Sequence, residues 1–310
     1  MIVRDRPTPW EVIFSLRGSV LPAIVPQILV TTALSVTVVL LQKTGVTRLP
    51  DVPTVALTVL GAVLGIGASF RNTSAYDRWW EARKNAGLLV IESRGLARQA
   101  VAYLRGPNEL APNELIGRIG RRCIALTYLS RDFLRGQPVS AETEQYLRPD
   151  ELAAVTASVN PPNRLLQFFS ADIAEALADD RVHPLTAQML EGRVAGLSIA
   201  FGSLERTKLT PMPFVYTLGV HRVAYLFCLL LPFGLADPGG WWTPLITAAV
   251  AYVFFGLDAI GDELSTPFAA DAANTLPLDA ICREVEINIL ETLGETDLPA
   301  PLKPRKHILT

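Results

Sequence analysis

Side chains able to do chemistry are few in this sequence, and they stand apart. Histidine occurs three times, as His183 before a proline, His221 at the edge of an apolar run, and His307 near the C-terminal end. The cysteines Cys123, Cys228 and Cys282 have no C-x-x-C spacing, so they exclude a zinc ribbon or disulfide framework and read as small apolar side chains. H-E-x-x-H, G-x-S-x-G and G-x-x-x-x-G-K-[ST] are absent, leaving metalloprotease, serine-hydrolase and P-loop chemistry without support. The acidic pairs Asp179-Asp180 and Asp262-Glu263 read as helix-end or solvated charges. No catalytic residue, metal site or cofactor is expected, and the chain is not expected to be an enzyme.

The spacing that does stand out favours passage over reaction. Stepping by four from Thr54 gives Thr58, Ala62, Ile66 and Phe70. On a straight helix these steps drift by about 160°, so Gly61, Gly65 and Ser69 join the same side. That side is small and polar at one end, then narrow and apolar at the other. In a ring of subunits, Ile66 and Phe70 would form a constriction that gates by dewetting. Gly61-x-x-x-Gly65 is also an ordinary helix-packing signal, and both readings stand.

Such a stripe needs a membrane to work in, and composition supplies one. Of 310 residues, 50% are hydrophobic and 19% charged, with a mean hydropathy of +0.30. Four charge-poor stretches hold the excess: Gly18–Gln42, Val52–Phe70, Leu209–Ala236 (broken only by His221 and Arg222) and Pro238–Leu257. The 19 residues of the second reach about 28 Å as a helix, one hydrocarbon core. Transmembrane helices are therefore expected at about residues 20–41, 52–70, 214–235 and 241–258. Arg222 falls in the first turns of the third and can snorkel to the interface. The first run is too long for a signal peptide and lacks a small-residue cleavage site. A net charge of −2 excludes a strongly basic nucleic-acid binder, and the apolar content excludes a disordered chain.

Lysine and arginine set the orientation. The loops 43–51 and 237–240 carry only Lys43 and Arg48, whereas Arg4, Arg6, Arg17 and nearly all the others lie in the N-terminus, the middle segment and the tail. Both termini and residues 71–213 are thus expected in the cytoplasm, with Trp241 and Trp242 in the aromatic belt of the outer interface. The middle segment has helical periodicity, with breaks at Gly106-Pro107-Asn108, Gly136-Gln137-Pro138, Asn160-Pro161-Pro162 and His183-Pro184. Its first helix continues the second span without a turn signal, and Leu88, Ile91, Gly95, Arg98 and Ala102 space as its buried stripe. The fold class expected is an all-α polytopic membrane protein: four spans, a large helical cytosolic region in one integrated unit, and a pore made by a homo-oligomer. The proline- and lysine-rich tail, residues 299–310, is expected to be disordered.

The run Phe70-Arg71-Asn72-Thr73-Ser74-Ala75-Tyr76-Asp77-Arg78-Trp79-Trp80-Glu81-Ala82-Arg83 resembles the signature that follows the pore helix of bestrophins. Arg17-Gly18-Ser19, Pro213-Phe214-Val215-Tyr216-Thr217 and Ile260-Gly261-Asp262-Glu263-Leu264-Ser265-Thr266-Pro267-Phe268, followed by Leu276-Pro277-Leu278-Asp279, agree with it; the likeness spans Trp10 to Leu293. The resemblance implies a homopentamer around one central pore for chloride or other anions, its partners being other copies, small ions and the bilayer. It places the neck rings on Ala62, Ile66 and Phe70, the outer pore face on Thr54 and Thr58, and a cytosolic constriction on Val194. Arg78, Trp79 and Trp80 then lock helices together and do not touch ions. Animal members carry a bulky aliphatic and two aromatics at the neck, so Ala62 widens the outer ring and one fewer aromatic removes positive ring edges; a monovalent cation channel is the alternative. Animal members also clasp Ca²⁺ with an acidic cluster, whereas here Asp271 is the only carboxylate of the segment, against the six to eight oxygens Ca²⁺ takes. Calcium gating through that clasp is not expected. An alternating-access carrier or a membrane scaffold are the other readings, the first weakened by the lack of a matching broken helix for Pro22 and Pro26.

Overall fold

The computed structural model describes residues 1–3, 8, 10–11, 15–16, 18–45, 50, 52–104, 113–270 and 272–310. Arg4, Arg6, Arg17, Arg48, Asp271 and the Gly106-Pro107-Asn108 break lie outside them. The described residues are helical, with no strand. In chain order the helices are α1 (Leu21–Thr44), α2 (Thr54–Tyr103), α3 (Glu114–Arg135), α4 (Ala141–Glu144), α5 (Pro149–Thr156), α6 (Pro161–Ala178), α7 (Pro184–Leu209), α8 (Phe214–Gly239), α9 (Thr243–Ser265) and α10 (Leu278–Thr292). A 3₁₀ turn, Gly240–Trp242, joins α8 to α9. Among the described residues three helical stretches are long and apolar enough to cross a membrane: Leu21–Thr44, part of Thr54–Tyr103, and Phe214–Ser265, the last comprising α8, the turn and α9. Nothing interrupts Phe70-Arg71-Asn72, and α2 runs unbroken for 50 residues, about 75 Å at 1.5 Å per residue.

Contacts gather the chain into two compact units. The first, Arg4–Trp79 with Pro211–Pro267, holds α1, the start of α2, α8 and α9. Its core joins Ile24, Leu57, Leu64, Phe227, Cys228, Leu231 and Phe255, one stripe from each helix. Threonine hydroxyls inside α1 bond back to their own helix, as Thr31 does to the carbonyl of Gln27 at 2.9 Å, and Ser35 accepts from Thr247 of α9 at 3.3 Å. At one end Gln42 donates to Asp237 at 3.4 Å, the Lys43 ammonium lies 4.9 Å over the Trp241 ring, and Thr243 Oγ1 bonds the Leu235 carbonyl at 2.9 Å. The end of α1 and the α8–α9 turn therefore meet.

The second unit comprises Met1–Val3, Trp80–Thr210 and Phe268–Thr310. Its centre is α3, buried on nearly every side by α6, α7, α10 and the short helices. Local caps set its helix ends: Asn113 accepts from Ile116 N–H, Gly136 turns left-handed at φ +67°, and Asn160 and His183 cap helices that open on proline. Buried charges are paired. Arg122 bonds Glu151, Asp172 and the Phe168 carbonyl, and Glu286 accepts from Tyr128 at 2.6 Å and Tyr146 at 2.5 Å. Burial, reinforced by that carboxylate, pushes both phenols well above their usual range.

Two expectations change here. The buried stripe of this part of α2 is Ala82, Ala86, Leu89, Ser93, Leu96 and Ala100, while Ile91 and Arg98 face outward. The tail is ordered, because backbone groups close an antiparallel pair: Val3 N–H donates to His307 at 2.9 Å and Leu309 N–H to Met1 at 2.8 Å. Ala280 N–H at the start of α10 then holds Thr310 at 2.8 Å.

Candidate functional site

The apolar start of α2 divides into a narrow buried arc and a wide exposed one. Leu57, Leu64, Ala68, Arg71 and Ala75 recur at helical spacing and are buried. Thr54, Thr58, Ala62, Ser69, Ile66 (60% exposed) and Phe70 (63%) lie on the remainder. On a 3.6-residue helix the exposed arc has two flanks, a small polar one with Thr58 and Ser69 and a bulky one with Val59, Val63, Ile66 and Phe70. The sequence of small polar, then apolar residues spirals from the first flank to the second. Thr58 Oγ1 bonds the Thr54 carbonyl at 2.9 Å, so its hydroxyl needs no partner from another helix.

The two glycines of Gly61-x-x-x-Gly65 part company. A Cβ on Gly61 would lie 3.1 Å from Phe227 Cζ, so this glycine lets α8 approach; one on Gly65 would meet nothing within 4 Å. Gly61 serves packing and Gly65 is open. The exposed stripe carries no titratable group, and no ligand set for a cofactor or metal is built on it.

Immediately beyond Phe70, Arg71 is 1% exposed and anchors α2 to α9. Its Nη1 donates to Asp258 Oδ1 and to the Asp258 carbonyl, both at 2.9 Å, and its Nη2 to Asp262. The other Asp258 oxygen accepts from His221 Nδ1 of α8 at 2.6 Å. Asn72 Nδ2 reaches the Leu257 carbonyl at 3.0 Å, and Arg78 Nε the Ser265 carbonyl at 2.9 Å. Asp262 is thus an ion-pair partner and not simply a solvated helix-end charge. Arg78 ties α2 to the end of α9, the Trp79 ring stacks on Tyr76 at 6.3 Å, and the Arg83 guanidinium covers Trp80 at 4.9 Å. The sequence reading missed the Arg71–Asp258–His221 set; its only signal was that Asp258 and His221 each interrupt an apolar run.

Val194, expected at a cytosolic constriction, is 5% exposed on the inward side of α7 in the single chain. The large aliphatic side chains that α7 does expose are Leu185, Ile199 and Leu209.

An all-helical chain with apolar membrane-length helices, its hydroxyls bonded within them, is an integral membrane protein. A family model described as "Bacterial/Fungal Bestrophin protein" matches residues 1–291, and the chain belongs to that family. Among curated relatives, the voltage-dependent anion channel-forming protein mll4386 of Mesorhizobium japonicum is 39% identical, over 95% of this chain and 93% of its own. The voltage-dependent anion channel-forming protein YneE of Escherichia coli is 35% identical over 99% of both chains. Among solved structures, a bacterial bestrophin homologue from Klebsiella pneumoniae superposes with a TM-score of 0.80 at 28% identity, covering 88% of this chain and 99% of that one.

Proposed function

We propose that the chain assembles as a homopentamer in the bacterial inner membrane and conducts chloride or other small monovalent anions passively. The observation that carries this reading is the charge-free stripe of α2, Thr54, Thr58, Ala62, Ile66 and Phe70, exposed along its whole length on one chain. Copies arranged around an axis give that stripe a lumen: a wide, hydroxyl-bearing outer mouth at Thr54 and Thr58, then a neck at Ala62, Ile66 and Phe70. An ion there sheds water against apolar walls, so small changes in radius switch the neck between wet and dry. The ring edges of Phe70 carry positive partial charge and favour an anion. The names of the relatives point the same way.

Length supports a count of four spans. The 26 residues of α8 and 23 of α9 reach about 39 Å and 35 Å, each more than the ~30 Å hydrocarbon core. With the α1 end and the α8–α9 turn outside, both termini are cytoplasmic. Calcium does not gate the channel through the acidic clasp of animal members, because the segment around Asp271 offers a single carboxylate.

Reconstitution in planar bilayers across a NaCl gradient tests the reading. Discrete currents should reverse near the chloride potential, with open probability flat against Ca²⁺, and Ile66→Phe or Phe70→Ala should change unitary conductance severalfold. Reversal near the sodium potential would make the channel cation-selective, and a conductance indifferent to both substitutions would remove the neck from these residues.

A further inference from the structure

Arg71 follows the last neck residue directly, and its side chain is held by Asp258 and Asp262 of α9. Asp258 is the hub: buried itself, it accepts Arg71 on one oxygen and His221 on the other, so α2, α8 and α9 meet at one carboxylate. The His221 side chain is 45% exposed on the single chain, while the Asp258 carboxylate it pairs with stays enclosed. The set is also incompletely matched, for Arg71 Nε is buried without a hydrogen-bond partner.

We propose that His221 is a proton-responsive positioning residue for the neck: its charge state sets how tightly α8 is tied, through Asp258, to Arg71 and hence to the adjoining Phe70. This rests on the reading of Phe70 as part of the neck. A carboxylate only accepts, so Nδ1 carries a proton in both states; what changes is the charge on the ring. With a neutral ring, one guanidinium faces two carboxylates, Asp258 and Asp262. With a protonated ring the charges balance, and the His221–Asp258 bond, already charge-assisted at the carboxylate, gains charge on its donor as well. Histidine is the side-chain type whose charge changes between about pH 5 and 8.

Among the described residues, the charged and titratable groups facing this set are few. Arg71 comes from α2, with Arg78 two turns on engaged at Ser265, and Asp258 and Asp262 come from α9, with Glu263 next in line. On α8, the Tyr225 ring lies tilted against His221 with centroids 4.7 Å apart, while Arg222 is exposed. The helix α1, packed on both α8 and α9, has Lys43 as its one charge, at the opposite end beside Trp241. Protonation of His221 is therefore the main change in charge available here near neutral pH.

The test is the open probability of the reconstituted channel between pH 5.5 and 8 in wild type and His221→Gln, which keeps a donor and cannot charge. Wild type should shift severalfold, as expected for adding charge to the donor of that bond, and His221→Gln should stay flat with unchanged unitary conductance. A full shift retained in His221→Gln overturns the proposal. Wild-type protein with ¹³C-labelled histidine gives a second readout that needs no stable variant. With three histidines in the chain, the His221 resonance should titrate at the midpoint of the open-probability curve. A His221 signal that does not titrate in that range overturns the proposal as well. Titration of His221 together with a Phe70→Ala channel of unaltered conductance would place the failure in the neck reading and overturn the link to Phe70, leaving the α8–α9 tie.

Discussion

Gly234 carries no side chain because none would fit. A Cβ there would collide with Leu57 and lie 2.9 Å from the Val52 carbonyl, which is backbone and cannot step aside. Gly65, one of the most permissive positions of α2, has nothing within 4 Å of where its Cβ would stand. The two glycines therefore predict opposite results for the same substitution. Gly234→Ala should lower the thermal midpoint of the detergent-purified protein, by an overpacking cost of roughly 1–3 kcal/mol. Gly65→Ala should leave the midpoint in place and alter unitary conductance, since its new methyl group enters the exposed arc. Equal midpoints for both would mean that α8 has room to move away from α2. Neither outcome is readable from the letter G: a glycine that admits a neighbouring helix and one that lines open space look alike until the neighbour is placed.

At the scale of elements, α10 is fastened at its first turn through Asp279, which binds Arg131 at 3.0 Å and Arg135 at 2.8 Å. Burial pushes this carboxyl up, but the bonds and charge of Arg135, with Arg131 and Thr310 adding to them, outweigh it and hold it below the usual 3.8. The sign follows from the direction. Stability from a depressed carboxyl is complete above the unfolded value of 3.8 and is lost as pH falls through the lower folded value. Asp279→Asn should therefore melt earlier than wild type at pH 7, and the gap should close as pH drops below about 4. A gap that persists in acid would mean that the side chain acts by shape and not by charge. Such long-range fastenings are what a single sequence hides. Helix ends were legible, because Gly136, Asn160 and the His183-Pro184 pair act on backbone within a few residues of themselves. The pairing of Arg71 with Asp258 crosses 187 positions, and that of Met1 with Leu309 crosses 308. The inward face of α2 was misread because alanines, which allow close approach, add little to a hydropathy pattern.

For the whole molecule, the number of crossings decides where the ends lie. Three crossings would put the termini on opposite sides and four on the same side, so accessibility of introduced cysteines in intact cells counts them. The background is quiet: Cys123, Cys228 and Cys282 are all buried, and burial raises the Cys123 thiol and pushes Cys282 up to about 12, far from the reactive thiolate. Trp241→Cys, at an exposed position of the α8–α9 turn, should react with a membrane-impermeant maleimide added outside, and Lys303→Cys only after lysis. Labelling of both from outside would exclude four crossings with cytoplasmic ends. The exposed stripe of α2 has a consequence for heredity. Ile66 and Phe70 turn away from their own core, so the aperture they border would be common property of every chain in the ring. A cell making equal amounts of wild-type and Phe70→Ala chains would then build mostly mixed rings, and the altered allele would behave as dominant, whereas alleles that only unfold the chain would be recessive.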